Sequence, residues 1–369
     1  MIYLDNGATS FRKPPSVYRA VREAFSSCAN PGRGGYEAAM AAEKQVFETR
    51  RQAARLFHCL PEQAVFTFNC THGLNMAIRT LVKPGDRVVI SGFEHNAVTR
   101  PLHGLKARVT VAGRRLFDWD DTLEEFEKAL RSGVDAAVFT HVSNVFGYIL
   151  PVEELAAMCR TKGVPFVIDA AQSAGIRDID FPALGADFLA MPGHKGLLGP
   201  QGTGLLLCAR QPEPLLLGGT GTDSIAQQMP DYLPEGAEAG TLNVPGIAGL
   251  GAGLRYLNRW GLKAIRQSQT AQARRCAQGL QELGFRVFSG KHQAGTVSFL
   301  PPGDCEEAAA YFAAHGIALR SGLHCAPLAH ESAGTLDTGT VRLSFGHDAA
   351  PWQTEAFLDG AKGLLHRGS

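Results

Sequence analysis

Short apolar runs alternate with longer amphipathic segments through the first half of the chain. The apolar runs have the length of strands, and the amphipathic segments repeat apolar positions at helical spacing. Predicted strands lie at residues 64–68, 87–91, 108–112, 135–140 and 165–169, and predicted helices at 16–28, 37–57, 74–81 and 152–162. Helices of this length between strands indicate crossover connections. The pattern therefore predicts an α/β fold, with a mostly parallel sheet flanked by helices on both faces.

The pattern changes in the second half of the chain. Residues 215–240 are irregular and rich in Gly and Pro. A long helical region follows at 244–283, then strand-like runs at 295–300 and 339–345, and helical patterns at 306–315 and 352–365. We predict a large domain at residues 12–245 and a smaller α/β domain at residues 246–369, which also includes residues 1–11.

Composition and charge exclude several classes of protein. The 369 residues are 45% hydrophobic and 19% charged, with a net charge of +1 and no basic or acidic block, so we expect neither nucleic-acid nor anionic membrane binding. The N-terminus lacks the pattern of a secretory signal, and no apolar run has the length of a membrane span. We therefore expect a cytoplasmic protein.

The eight cysteines are scattered and form no C-x-x-C pair. This spacing favours free thiols in a reducing compartment over a disulfide framework. Most of them should be buried as small apolar side chains.

Lys195 has unusual sequence surroundings. It follows an apolar run that ends in Gly193-His194, and glycines occupy positions 196, 199, 202 and 204 before a second apolar run. A lysine with so little side-chain bulk around it is suited to a large planar partner. We predict that Lys195 binds pyridoxal phosphate as a Schiff base. A nucleotide-binding loop fits poorly, because the Walker pattern requires Gly-Lys-Ser/Thr and residues 249–253 do not match the dinucleotide fingerprint.

Other parts of a pyridoxal phosphate site follow predicted strands. Asp169 could pair with the pyridine nitrogen, the turn at Thr71 and His72 could bind phosphate at a helix N-terminus, and His95 could stack on the ring. Each also has a plainer interpretation: a helix-capping Asp, an N-cap by Thr71 and a loop histidine. The set as a whole favours a cofactor site, because its members would share one edge of the sheet: Thr71, His95, Asn144, Asp169, Gln172 and Lys195.

A second candidate site surrounds Cys325. His324 precedes it and Arg320 is near in sequence, and cationic neighbours would lower the pKa of the thiol. It could also be an ordinary loop cysteine. A metal site with His330 would lack a fourth ligand, so we expect no metal. Arg342, inside an apolar strand, would either pair with a buried carboxylate or bind a substrate carboxylate.

Taken together, these residues resemble the class V aminotransferase superfamily of fold-type I pyridoxal phosphate enzymes, and within it the cysteine desulfurases and selenocysteine lyases. The resemblance extends over nearly the whole chain. Its motifs are residues 3–9, 71–72, 94–96, 141–144, 169–172, 193–195, 239–243, 320–325 and 341–342. The loop at 320–326 resembles that of the second, sulfur-mobilising desulfurase subgroup.

The resemblance implies a role for each matching residue. Lys195 would be the Schiff-base lysine and proton shuttle, and Cys325 the sulfur acceptor. The implied cofactor contacts are Asp169 at the pyridine nitrogen, Gln172 at the phenolate oxygen, His95 on the ring, and Thr71, His72, His194 and Thr241 at the phosphate, the last from the other subunit of a homodimer. The implied substrate contacts are Asn144, Arg342 and Arg320.

This sequence departs from the family pattern at three places. Pro192 stands where a phosphate-binding Ser is usual, and His72 where an acidic residue is usual. Gly35-Tyr36 stands where a His often follows the Arg-Gly pair of the early loop.

The implied activity is the conversion of L-cysteine to L-alanine, with a persulfide formed on Cys325 and passed to an acceptor protein or thiol. Selenocysteine lyase activity and a class V aminotransferase acting on a small amino acid are the alternatives. A cofactor-free scaffold in a sulfur-transfer complex is a further alternative, against which the pair Lys195 and Asp169 argues.

Overall fold

The computed structural model describes residues 1–32 and 34–366. The predicted large domain includes Arg33, and the predicted smaller domain includes residues 367–369. These four residues lie outside the described part of the chain.

Strands and helices alternate as the hydrophobic pattern predicts. The strands are β1 Ile2–Tyr3, β2 Ala64–Thr67, β3 Arg87–Ser91, β4 Arg108–Ala112, β5 Ala136–Thr140, β6 Phe166–Asp169, β7 Phe188–Pro192, β8 Gly204–Cys208, β9 Arg286–Phe288, β10 Thr296–Leu300, β11 Ile317–Ala318, β12 Arg320–Gly322 and β13 Thr340–Ser344. The helices are α1 Pro15–Ser27, α2 Glu37–Phe57, α3 Cys70–Leu81, α4 Asn96–Gly104, α5 Trp119–Arg131, α6 Val152–Lys162, α7 Phe181–Leu184, α8 Val244–Trp260, α9 Lys263–Glu282, α10 Cys305–Ala314, α11 Pro327–Ala333 and α12 Pro351–Leu365.

The large sheet has the order β2-β8-β7-β6-β5-β3-β4 within the described residues. Its neighbouring strands are parallel except at β8, which is antiparallel to both β2 and β7. Buried side chains line both faces, with α3 and α4 covering one face and α2, α5, α6 and α8 the other. Each large apolar side chain buried in this way contributes about 1.5–3 kcal/mol to stability. The prediction of a mostly parallel sheet between helices is confirmed.

The second half of the chain forms a smaller antiparallel sheet with the order β12-β13-β10-β9. The N-terminal strand β1 pairs with β11, and Asp5 bridges to Ser344 of β13. Residues 2–5 therefore lie beside strands of the predicted smaller domain. Helix α8 packs against α1 and α2, although the prediction assigns its residues from 246 onward to the smaller domain. The domain boundary stays a prediction.

Several helices differ from the sequence-based expectation. Helix α3 begins at Cys70, four residues earlier than predicted, because Asn69 is its N-cap and accepts a hydrogen bond from the His72 N–H. An N-cap by Thr71, one of the alternatives considered above, is therefore wrong. Helices α5, α7 and α11 were not predicted, and neither was helix α4. It contains Pro101, which normally disfavours a helix interior.

No helix in residues 1–32 and 34–366 is long and apolar enough to cross a membrane.

Candidate active site

A cavity of about 530 Å³ lies at the carboxyl ends of β5, β6 and β7. This edge is where α/β sheets commonly bind ligands. Seven of the predicted site residues line it: Thr71, His95, Asn144, Asp169, Gln172, His194 and Lys195. Six of them, all except His194, form the set that the sequence predicted at one edge of the sheet, and the structure brings these six together there.

Lys195 lies at this cavity just after β7. Burial lowers the pKa of its amine, and this effect outweighs the opposing influence of Cys70 and Asp169. The glycines around it are required by close packing. A Cβ at Gly193 would lie 2.1 Å from Thr203 Oγ1, and one at Gly196 would lie 2.2 Å from the Ala174 carbonyl oxygen. The loop can therefore pack tightly only without side chains at these positions.

Asp169 ends β6 and is 3% exposed. Its Oδ1 accepts hydrogen bonds from the Ala171 N–H at 2.8 Å and from Cys70 Sγ at 3.6 Å. The residues that follow it form turns, so Asp169 does not cap a helix. Within the described chain it makes no ion pair with a Lys or Arg side chain at 4.0 Å or less. A buried carboxylate of this kind is suited to a cationic ligand.

Two helix N-termini flank the cavity. Asn69, Cys70 and Thr71 begin α3 and line the cavity, so that the first turn of a 12-residue helix meets it. His95 is the N-cap of α4, and its Nδ1 accepts a hydrogen bond from the Ala97 N–H at 3.0 Å. Burial lowers the pKa of His95, which favours the neutral imidazole. The free N–H groups of α3 are suited to an anion.

Gln172 and His194 are held by the N-terminal segment. Gln172 Nε2 donates to the Gly7 carbonyl at 2.9 Å, and His194 Nδ1 lies 3.0 Å from Thr9 Oγ1. Burial lowers the pKa of His194 to about 4, and the nearby charge of Lys195 acts in the same direction. Residues 7–9 therefore help to position one wall of the cavity.

Two residues that were predicted to contact the phosphate, His72 and Thr241, do not line this cavity. The His72 ring stacks on Phe68 at 4.8 Å between ring centroids, and its Nδ1 accepts a hydrogen bond from the Phe68 N–H at 3.3 Å. His72 and Thr241 both line a neighbouring cavity of about 580 Å³. Their roles at the phosphate stay predictions.

Arg342 in β13 is 2% exposed and pairs with a buried carboxylate. This pairing is one of the two alternatives that the sequence suggested for it. Its NH2 group lies 2.7 Å from Asp5 Oδ1, and NH1 donates to the Asn144 carbonyl at 3.0 Å. Its buried Nε has no hydrogen-bond partner in the described residues. Arg320 lies 3.0 Å from the other oxygen of Asp5.

Cys325 is exposed and lies in the loop between β12 and α11. The loop is fixed by two hydrogen bonds: Asn96 N–H to the Cys325 carbonyl and Asn144 Nδ2 to the His324 carbonyl, both at 2.8 Å. Both His324 and Cys325 have positive φ, 49° and 57°, which side-chain-bearing residues rarely adopt.

The prediction that His324 is a cationic neighbour of Cys325 is wrong. His324 is buried against Thr340, and burial beside Arg342 lowers the pKa of its imidazole to about 2. The ring is therefore neutral at ordinary pH and adds no positive charge. Within the described residues, no group of three or more His, Cys, Asp or Glu side chains is placed to hold a metal ion.

Three residues of the site received no role from the sequence: Asp5, Cys70 and Glu94. Glu94 is fully buried between β3 and α4, and its Oε1 accepts hydrogen bonds from Ser91 Oγ and from the Thr140 N–H. Burial raises its pKa to about 8. A carboxylate that follows a buried strand by three residues is the one signal that could have drawn attention to it.

The family model for class V aminotransferases matches residues 2–357. The chain belongs to the class V aminotransferase family. It is 33% identical to a protein named probable cysteine desulfurase from Pyrococcus abyssi, with 97% of this chain and 92% of that protein covered. A second protein of that name, from Methanothermobacter thermautotrophicus, is also 33% identical, with coverages of 93% and 89%.

Solved structures agree with this family assignment. The apo cysteine desulfurase from Thermococcus onnurineus is 34% identical and superposes with a TM-score of 0.91, covering 99% of this chain and 95% of that one. A cysteine desulfurase from Escherichia coli is 25% identical with a TM-score of 0.86 and the same coverages. The resemblance stated from the motifs, and the fold that it implied, are confirmed. Members of these families generally depend on pyridoxal phosphate.

Proposed function

We propose that this class V family member is a pyridoxal phosphate-dependent cysteine desulfurase. It converts L-cysteine to L-alanine and keeps the sulfur as a persulfide on Cys325. Relatives named cysteine desulfurase cover nearly the whole chain, which supports the activity. The observation that carries the proposal is the single cavity lined by Lys195, Asp169 and the first turn of α3.

The residues that line the cavity fit pyridoxal phosphate. Lys195 offers an amine whose lowered pKa favours the neutral form, which is the form that bonds to an aldehyde. Asp169 offers a buried carboxylate without a cationic partner among the described residues, which is suited to a protonated pyridine nitrogen. The first turn of α3, with Thr71, offers N–H groups to the phosphate.

The remaining cofactor contacts are proposed from the family resemblance. His95 would stack on the cofactor ring, and Gln172 would bond to its phenolate oxygen. His72 and His194 would add phosphate contacts, and Thr241 would contact the cofactor of the other subunit in a homodimer.

When bound, the cofactor withdraws electrons from the substrate carbon that carries the amine. Lys195 takes the proton from that carbon and later returns a proton to the product. Arg342, through its unpartnered Nε, and Asn144 hold the substrate carboxylate, with Arg320 nearby.

The Cys325 thiolate attacks the substrate sulfur and forms a sulfur–sulfur bond. The carbon–sulfur bond of the substrate then breaks, and its electron pair stays with the carbon. That carbon gains a proton and becomes the methyl group of alanine. The persulfide on Cys325, which lies in an exposed loop, is passed to an acceptor protein or thiol in the cytoplasm.

The test combines a spectrum with product analysis. The purified protein, supplied with pyridoxal phosphate, should show a visible Schiff-base absorbance that Lys195→Ala abolishes. It should form alanine from L-cysteine, and Cys325→Ala should abolish that product while keeping the absorbance. Cys28→Ala, which removes another thiol that is not fully buried, should change neither.

Other outcomes point to other activities. A wild-type protein without the absorbance would contradict the whole proposal. Absorbance with transamination of a small amino acid, undisturbed by Cys325→Ala, would indicate an aminotransferase. A much higher wild-type rate on L-selenocysteine than on L-cysteine would indicate a selenocysteine lyase.

A further inference from the structure

The carboxylate of Asp5 contacts both arginines of the proposed substrate site. We propose that Asp5 is a positioning residue that orients Arg342 toward the substrate carboxylate. Through Arg320, it also holds β12, the strand that precedes Cys325, beside Arg342. This inference rests on the proposed function, because it assigns Arg342 to the substrate carboxylate.

The two oxygens of Asp5 serve different partners. Oδ1 lies 2.7 Å from NH2 of Arg342, and Oδ2 lies 3.0 Å from NH2 and 3.1 Å from Nε of Arg320. NH1 of Arg342 donates to the Asn144 carbonyl. Two of the three guanidinium nitrogens of Arg342 are therefore fixed by protein acceptors. The third, Nε, is buried without a partner among the described residues and is left for an incoming carboxylate.

Asp5 can act as an anchor because its own backbone is fixed. It forms a β-bridge with Ser344 of β13, two residues from Arg342. Ser344 N–H donates to the Leu4 carbonyl at 2.6 Å, and the Gly7 N–H donates to Ser344 Oγ at 2.6 Å. The side chain of Asp5 is 12% exposed, so water competes little for its oxygens.

The charge balance favours a carboxylate ligand. Two guanidinium groups share one carboxylate, which leaves a net positive charge at the site. Without Asp5, the buried Arg342 would lose its counter-ion and would be repelled by Arg320. Its guanidinium would then move away from the geometry that leaves Nε without another hydrogen-bond partner.

Arg320 links the same anchor to the sulfur acceptor. It begins β12, and the loop that carries Cys325 follows this strand directly. Asp5 thus ties together the group that would hold the substrate carboxylate and the strand that precedes the thiol. The distance between carboxylate and sulfur in the substrate is fixed, so a common anchor for both protein groups favours a productive arrangement.

The test compares Asp5→Asn with a matched control in the pyridoxal phosphate-loaded full-length protein. Asp187→Asn is the control, because Asp187 has the same 12% side-chain exposure and also pairs with an arginine, Arg210, outside this site. Steady-state rates give KM and kcat for L-cysteine. Titration with L-alanine, followed by the visible absorbance, gives carboxylate binding without turnover.

We expect Asp5→Asn to raise KM and the dissociation constant of L-alanine by about tenfold or more, with a much smaller change in kcat, because loss of a charge-assisted contact disturbs binding. Asp5→Glu should recover part of the affinity, and Asp187→Asn should leave both constants unchanged. An unchanged or lower L-alanine dissociation constant in Asp5→Asn would overturn the proposal, as would an equal increase in Asp187→Asn. If wild type makes no alanine from L-cysteine, the proposed function fails, while the L-alanine titration still decides the role of Asp5.

Discussion

Asn144 Nδ2 donates a hydrogen bond to the His324 carbonyl at 2.8 Å. The amide proposed to hold the substrate carboxylate therefore also holds the loop that carries Cys325. Together with the bond from the Asn96 N–H to the Cys325 carbonyl, it fixes two successive residues with positive φ. Such backbone conformations persist where surrounding contacts impose them. The loop conformation should thus depend on Asn144.

Replacing Asn144 with Ala should loosen the Cys325 loop even without substrate. Loss of the side-chain donor leaves the His324 carbonyl unpaired, so amide hydrogen exchange in residues 320–328 should become faster by about threefold to tenfold, the equivalent of one hydrogen bond. Peptide-level exchange measured by mass spectrometry reads this directly. Asn258→Ala is the control, because Asn258 Nδ2 also donates to a carbonyl, that of Gln52, at 3.0 Å. Equal exchange in Asn144→Ala and wild type would show that other contacts hold the loop.

The two cysteines near the site should differ in reactivity. Burial and the neighbouring charge of Asp169 raise the pKa of Cys70 well above its usual value, whereas Cys325 is exposed. The Cys70 thiol therefore stays protonated and donates to Asp169 instead of attacking sulfur.

After brief exposure to L-cysteine and trapping with an alkylating reagent, peptide mass spectrometry should find the persulfide on Cys325 and not on Cys70. Cys70→Ser keeps a donor to Asp169 and should retain alanine formation. A persulfide on Cys70, or loss of alanine formation in Cys70→Ser together with retained cofactor absorbance, would assign the sulfur chemistry to the buried thiol.

Much of this arrangement could be predicted because it is local in sequence. Each strand of the large sheet is a short apolar run, and each cavity residue that followed such a run reached the same edge. Asp169 and Lys195 follow directly from that rule. Helix α4 could not be predicted in this way, because Pro101 masks its pattern.

The other omissions are contacts between distant parts of the chain. Asp5 and Arg342 are 337 residues apart, and no local pattern indicates that they pair. The burial of His324, which removes its positive charge, depends on its packing against Thr340 and Arg342. The hydrogen bond from Cys70 to Asp169 likewise requires two strand ends to meet. Motif and spacing identify chemical groups, whereas their protonation states follow from tertiary contacts.

Glu94→Gln should flatten the pH dependence of stability. Burial raises the pKa of Glu94 to about 8 from its usual 4.5, so the folded protein binds one more proton than the unfolded chain between these values. The contribution of Glu94 to stability should therefore be largest below about pH 4.5. It should fall by up to about 1.4 kcal/mol per pH unit as the pH rises to about 8.

Urea unfolding of wild type and Glu94→Gln between about pH 5 and 9 measures this difference, because the other titrating groups are common to both proteins. The stability of Glu94→Gln relative to wild type should rise with pH. Parallel curves across the whole range would mean that Glu94 titrates at its usual pKa in the folded protein.

Stability should be much more sensitive to loss of one partner in the ion pair between Arg50 of α2 and Glu238 than to loss of one partner in an exposed ion pair. Their side chains are 8% and 6% exposed. Arg50 also donates to the Ala64 carbonyl and lies 4.5 Å from the centroid of the Phe66 ring, while Glu238 accepts from the Phe66 N–H. Replacing only one of them leaves a buried charge without its partner, which costs about 3–5 kcal/mol.

A double-mutant cycle with Arg50→Met and Glu238→Gln tests this expectation by urea unfolding at one fixed protein concentration. Gln at position 238 still accepts the Phe66 N–H, so the cycle isolates the loss of charge. Each single change should cost several times more stability than the control Arg51→Met. Arg51 pairs with Glu48 on the same helix, and its side chain is 56% exposed. The double variant should be more stable than the sum of the single losses predicts, because it leaves neither charge unpaired. Simple additivity would mean that water already screens the pair.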